Sequence, residues 1–261
     1  MASDKAPLPS IVRGNGNPVV FLHGYPLSHV TWKEQLGPLS ASHKVVLLDF
    51  PGYGMALSQS VPTTLAGFSE SVHTTLQALS LTPATIFGHS FGGYVALQLH
   101  RDHPDDFRGL GLVSTRSEAD SPDARAKRLD TIERLRKPGE TLDIEGTVRS
   151  LVSEGTARQQ PAIVQVVREI VQSVPTHTII PTLQAIADRP DLTPDLARIQ
   201  VPTLVLWGEN DGLIPKAQTQ ALVERIRGAH GSGFPDTGHL AFLESPGAFN
   251  RTVQVFLDAH P

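Results

Sequence analysis

Five short, mostly apolar runs punctuate the chain, at residues 19–22, 45–48, 84–87, 109–113 and 203–207. They do not alternate with polar residues, so they predict strands buried on both faces, the pattern of a parallel sheet covered by helices. Helical periodicity fills intervals between them, over Thr63 to Leu79 and again over Gly92 to Arg101, where His103-Pro104 stops it. The alternation predicts an α/β architecture, a doubly wound and mostly parallel sheet. Ligands of such sheets bind beyond the carboxyl ends of the strands.

Between Thr115 and Arg198 the strand signal disappears. Ser121-Pro122-Asp123 reads as a helix start leading into Leu129, Ile132 and Leu135 before Gly139. A second apolar series, Ile163, Val164, Val167, Ile170, Val171 and Val174, follows Pro161. The alternative is an ordinary long crossover, but a connection of this length without strands favours an inserted unit. Residues 116–198 are therefore expected to form a helical cap inserted into a core domain made of residues 1–115 and 199–261. The apolar faces of such a cap would roof the pocket above the strand ends.

Three segments carry candidate chemistry. The run ending at Phe87 leads into Gly88-His89-Ser90-Phe91-Gly92, a serine between two glycines where a strand turns into a helix. Glycines at those positions leave room for a sharp turn that projects the hydroxyl. Taken alone, the motif also fits a small residue in a packing corner. Past the run 203–207, Gly208-Glu209-Asn210-Asp211 places a carboxylate, and Thr237-Gly238-His239 places an imidazole in a loop. A hydroxyl is a poor nucleophile at neutral pH and needs a base to take its proton. Ser90 is thus the expected nucleophile, His239 the base, and Asp211 the group that fixes the imidazole tautomer. Glu118 and Asp120 stand as alternative acids. The tight Gly212-Leu213-Ile214-Pro215 turn after Asp211 favours that residue. The backbone N–H groups of Phe91, at a helix start, and Tyr25, in His23-Gly24-Tyr25-Pro26, are expected to form an oxyanion hole.

With these residues in hand, the chain resembles the α/β-hydrolase superfamily over nearly its whole length. The resemblance runs from His23-Gly24-Tyr25-Pro26 through Asp49-Phe50-Pro51-Gly52-Tyr53-Gly54 and the Ser90 motif to Asp211 and His239. Within it, the chain is similar to small microbial esterases, enol-lactonases and metal-free perhydrolases. The order Ser, Asp, His is the one α/β-hydrolases use. Epoxide hydrolases and haloalkane dehalogenases share the His-Gly-x-Pro start but carry aspartate in place of the serine, so Ser90 argues against both. The resemblance implies hydrolysis of small to medium carboxylic esters or lactones through an acyl-enzyme. Acyl transfer to hydrogen peroxide is the alternative, motivated by Pro26, and a non-catalytic binding protein the third reading. Asp49, with Pro-Gly after it, reads as a turn-supporting carboxylate.

Composition narrows the partners. The net charge is −4, from 22 Lys+Arg and 26 Asp+Glu, and no basic stripe suggests nucleic acid. There are no cysteines, which excludes disulfides and thiolate chemistry. His100 and His103 lack a third ligand nearby, so neither metal nor cofactor is expected. The opening Met1–Pro7 has no apolar leader core and no run approaches the length of a membrane span, so a cytoplasmic protein without membrane partners is expected. Pro26, Trp32, Leu213 and Leu240 flank the candidate positions and are expected to line an apolar pocket. No cluster of Arg or Lys is evident beside them, which points to an uncharged substrate.

Overall fold

The computed structural model describes residues 6–261, so the first five residues of the Met1–Pro7 stretch lie outside the described residues. Seven strands, β1 (Ser10–Arg13), β2 (Pro18–Leu22), β3 (Lys44–Leu48), β4 (Ala84–His89), β5 (Phe107–Val113), β6 (Thr203–Gly208) and β7 (His230–Phe234), form one sheet in the order β1-β3-β2-β4-β5-β6-β7. Strand β1 runs antiparallel to β3, and all other neighbours are parallel.

The five apolar runs became the five inner strands because both faces of the sheet are buried. In β2, Val20 and Leu22 join one core cluster while Val19 and Phe21 join the other. Strand β3 divides in the same way, with Val46 and Leu48 against Val45 and Leu47. A period of two with apolar residues on both faces reads as a continuous run. The edge strands carry no such signal. Strand β1 is short and half exposed. Strand β7, His-Gly-Ser-Gly-Phe, has glycines where side chains would collide with a tryptophan: a Cβ on Gly233 would lie 2.6 Å from Trp207 Nε1.

Helices α1 (Lys33–Leu39), α2 (Leu65–Ala78) and α3 (Phe91–Asp102) lie between the early strands. Five more, α4 (Pro122–Leu135), α5 (Ile144–Leu151), α6 (Glu154–Gln159), α7 (Pro161–Ser173) and α8 (Thr176–Ala187), occupy the interval between β5 and β6. Three of these begin on side-chain caps: Ser121 accepts from the Ala124 amide, Asp143 from Gly146 and Ser153 from Thr156. The chain closes with α9 (Lys216–Arg225), α10 (Ala241–Glu244) and α11 (Pro246–Ala259). No helix among the described residues is long and apolar enough to cross a membrane.

Candidate active site

Ser90 sits between β4 and α3 with φ 51° and ψ −114°, a backbone conformation that side chains rarely adopt. Holding it costs about 1–3 kcal/mol and requires a surrounding structure that over-determines it. The Ser90 amide donates to the Val113 carbonyl at 2.9 Å, and the Ser90 carbonyl accepts from the Gly93 amide and the Thr115 hydroxyl. The flanking glycines are steric necessities. A Cβ on Gly92 would lie 2.5 Å from the Leu22 carbonyl oxygen, and one on Gly88 would strike the Gly92 carbonyl. The helix can approach β2 this closely only without those side chains.

His239 lies in the loop after β7, and its Nδ1 donates to Asp211 Oδ2 at 2.8 Å. Both side chains are buried. The other Asp211 oxygen accepts from the Leu213 and Ile214 amides at 2.9 and 3.0 Å, the turn signalled by Gly212-Leu213-Ile214-Pro215. Burial pushes the Asp211 carboxyl up, but the His239 charge and hydrogen bond with the two amides outweigh it and hold it below the usual value. The carboxylate form fixes the proton on Nδ1, leaving Nε2 with a free lone pair. The two loops are stitched by the Asn210 amide donating to the Thr237 carbonyl, and Gly208 lets them touch, since a Cβ there would strike Gly238.

Neither the Tyr25 nor the Phe91 amide donates a hydrogen bond among the described residues. Gly24 brings the Tyr25 loop against the serine: a Cβ on it would lie 3.3 Å from Ser90 Cβ. Buried histidines brace this arrangement. His23 Nδ1 donates to the Gly24 carbonyl and its Nε2 accepts from the Phe50 amide. His89 Nε2 donates to the His239 carbonyl at 3.0 Å. Burial, reinforced by neighbouring His239, pushes the His89 imidazole well below its usual value. Asp49 accepts from the His29 and Met55 amides and from His29 Nδ1, so it supports its own turn.

A cavity of about 220 Å³ is walled by fourteen residues that include Ser90, His239, Tyr25, Pro26, Phe91 and Leu213. Ser90 is among the residues lining this space, and its hydroxyl has no hydrogen-bond partner among the described residues. With this geometry fixed, comparison with known proteins is informative. A sequence model of the alpha/beta hydrolase fold matches residues 17–246. The chain belongs to the alpha/beta hydrolase family. Among solved structures it is similar to a thermophilic esterase from Thermogutta terrifontis with malate bound. That likeness has 31% identity and a TM-score of 0.92, covering 97% of this chain and 94% of that one. It is also 26% identical to the pimeloyl-[acyl-carrier protein] methyl ester esterase of Edwardsiella ictaluri, over 92% of this chain and 93% of that protein. A third relative, the dihydrolipoyllysine-residue acetyltransferase component of the acetoin cleaving system of Cupriavidus necator, is 27% identical over 94% of this chain. The chain spans 64% of that protein's length.

Within this hydrolase, two residues expected at the pocket are elsewhere. Trp32 is fully buried, stacked on Phe242 at 3.8 Å between ring centroids and 4.9 Å from Phe21. Leu240 is fully buried in the same cluster. Neither lines the cavity. Sequence proximity to Tyr25 and His239 misled here because both chains turn back into the core immediately beside the site. The expectation of an uncharged wall also fails. Arg116, just past β5, and Arg128 on α4 both line the cavity. Asp120, a candidate acid from sequence, is committed to three guanidinium groups: Arg116 at 2.7 Å, Arg128 at 2.6 Å and Arg189 at 2.9 Å. Arg116 and Arg128 lie four and eight residues from Asp120, and Arg189 joins them only on folding.

Sequence reasoning also passed over Glu244, at the end of α10. Its buried carboxylate accepts from the Gly238 and Leu240 amides at 2.9 and 3.2 Å, on either side of His239. Its other oxygen accepts from the Ser153 amide at 3.0 Å and the Thr156 hydroxyl at 2.7 Å, in the segment that starts α6. One carboxylate therefore joins the His239 loop to the inserted helices. No motif marks it, and only its position five residues after His239 in an otherwise apolar stretch could have raised it.

Proposed function

We propose that this hydrolase cleaves carboxylic esters or lactones through an acyl-enzyme on Ser90. The observation that carries the reading is the His239–Asp211 hydrogen bond on one wall of the cavity that Ser90 also lines. Nε2 of His239 takes the Ser90 proton as Oγ bonds to the substrate carbonyl carbon. The carbonyl electron pair moves to oxygen, where the undonated Tyr25 and Phe91 amides receive the oxyanion, each worth about 3–4 kcal/mol in transition-state stabilisation. The ester C–O bond then breaks, and the alcohol departs with the proton held by His239. Water repeats the sequence on the acyl-enzyme, releasing the acid and returning the proton to Ser90. Asp211 keeps the imidazole in the tautomer that makes both halves work. The inserted helices, residues 116–198, supply the far wall through Arg128, Thr147, Ser150, Leu151 and Ile186 and act as the cap.

The test is hydrolysis of 4-nitrophenyl esters by the Ser90→Ala variant. Its kcat should fall by about four to six orders of magnitude with the melting temperature retained. Undiminished turnover by a folded variant refutes the mechanism. Assay of peracid formation alongside decides whether hydrogen peroxide competes with water as the acceptor.

A further inference from the structure

The cavity is lined by two arginines and by no Asp or Glu. Behind them, three guanidinium groups share the single carboxylate of Asp120, whose side chain is sealed from solvent, so two positive charges stay uncompensated within the cluster. The three arginines differ in how far they are used. Arg189 is buried, giving its N–H groups to the Glu118 and Ile186 carbonyls and its face to the Tyr94 ring, 4.3 Å away. Arg116 is anchored through both terminal nitrogens, on Gln218 and Asp120. Arg128 spends only Nε on Asp120, and its two terminal nitrogens have no partner among the described residues. Tyr25 also lines the cavity, and its phenol oxygen is buried with no hydrogen-bond partner among the described residues. Burial pushes that phenol up, against the pull of the Arg128 charge, so it stays protonated as a donor. A buried donor without a partner is costly, and that cost vanishes if the occupant accepts from it, while the free terminal N–H groups of Arg128 favour an anion as that occupant.

We propose that the cavity takes an ester or lactone that also carries a carboxylate, held by the terminal N–H groups of Arg128 and the O–H of Tyr25. This rests on the acyl-transfer reading of Ser90 and adds the charge of its substrate. The planar fork of a guanidinium matches the two oxygens of a carboxylate. The remaining wall, with Phe91, Leu151, Ile186 and Ile214, suits the aliphatic spacer between the two ends. Asp120 locks Arg128 through Nε, which orients the fork before any ligand arrives.

The experiment compares 4-nitrophenyl hydrogen adipate with its uncharged isostere, 4-nitrophenyl 6-methylheptanoate, in the full chain. The wild-type protein should favour the charged ester in kcat/KM by about tenfold or more. That ratio should collapse toward one in Arg128→Gln, recover in part in Arg128→Lys, and fall less in Tyr25→Phe, which keeps the backbone amide. Because each ratio is taken within one protein sample, partial misfolding cancels. Calorimetric titration with adipate and with its uncharged isostere adipamide reads the same preference without chemistry. Tighter adipate binding that weakens in Arg128→Gln upholds the anion site even if Ser90 turns over neither ester. A wild-type ratio of one or less, or a preference that Arg128→Gln leaves in place, overturns the proposal while neutral-ester hydrolysis keeps the acyl-transfer reading intact.

Discussion

Helices α3 and α4 both border the cavity, and they are built differently. Of the twelve residues of α3, ten are buried, whereas only Ile132 and Leu135 are buried among the fourteen of α4. The α3 end of the site is set by backbone contacts and glycines with no spare volume, and the α4 side by long cationic side chains tied to one carboxylate. The first kind of construction admits almost no substitution, because close-packed backbone cannot shift without moving the sheet. The second can be re-aimed by single side-chain changes. Under the proposed function, this contrast corresponds to reactivity at the sheet ends and substrate choice in the inserted helices.

The strongest way to break this division is to damage the packed side without touching the cavity. Trp32→Ala deletes a fully buried ring from the Phe21, Phe242 and Phe249 cluster. Unfolding stability should drop by about 3–5 kcal/mol, read as a shift of the urea midpoint. The charged-to-neutral ester ratio should stay at the wild-type value. A changed ratio at nearly unchanged stability would mean that Trp32 belongs to the pocket after all and that the division is false.

Glu244 tests whether the two sides act separately, since its carboxylate bonds both. In Glu244→Gln the amide nitrogen must face either the Gly238 and Leu240 amides or the Ser153 amide and Thr156 hydroxyl. An N–H turned against another N–H leaves a buried donor unpaired and costs about 1–3 kcal/mol. Stability should fall by that amount and kcat should fall for charged and neutral esters alike, because the His239 loop loosens. Restoration by Glu244→Asp is not expected, as the shorter arm cannot span both loops. A loss confined to KM for the charged ester would place Glu244 with the substrate-choosing helices instead.

The same contrast governs what the sequence disclosed. Inner strands, the Ser90 turn and the Asp211 and His239 loops were legible because each is fixed by local pattern: apolar runs, flanking glycines, a tight turn after a strand. The edge strands β1 and β7 were not, since an edge needs no apolar face and β7 yields its side-chain space to Trp207. The misplacement of Trp32 and Leu240 has a related cause, in that proximity along a chain says nothing about which side of the backbone a side chain takes. Arg116 and Arg128 lie four and eight residues from Asp120, but Arg189 stands 69 positions beyond it, so the three do not read as a group about one partner. Tertiary ion pairing leaves no local signature. It is therefore the inserted-helix side of the cavity that sequence reads least well.

Acid provides the gentlest probe, because it reaches the two sides in different pH windows. Burial pushes the imidazoles of His23 and His89 below their usual value, so the unfolded chain binds protons that the folded chain refuses. Their contribution is complete above about pH 6.5 and is lost as pH falls below it. Asp120 is shifted the same way but acts in a lower pH window: burial raises it, but Arg128 and Arg189 outweigh that and hold its carboxyl below the usual value. Its contribution persists until pH drops below about 4. Between these limits acid should loosen the sheet-end loops while the arginine cluster holds. The urea midpoint should therefore decline from pH 7.5 to pH 5, and the decline should be shallower in His89→Gln, whose amide can still donate to the His239 carbonyl but does not titrate. An equally steep decline in that variant would remove His89 from the account. A charged-to-neutral ester ratio that collapses in the same window, with the adipate carboxylate still ionised, would show that the inserted helices depend on the loops beneath them and are not an independent layer.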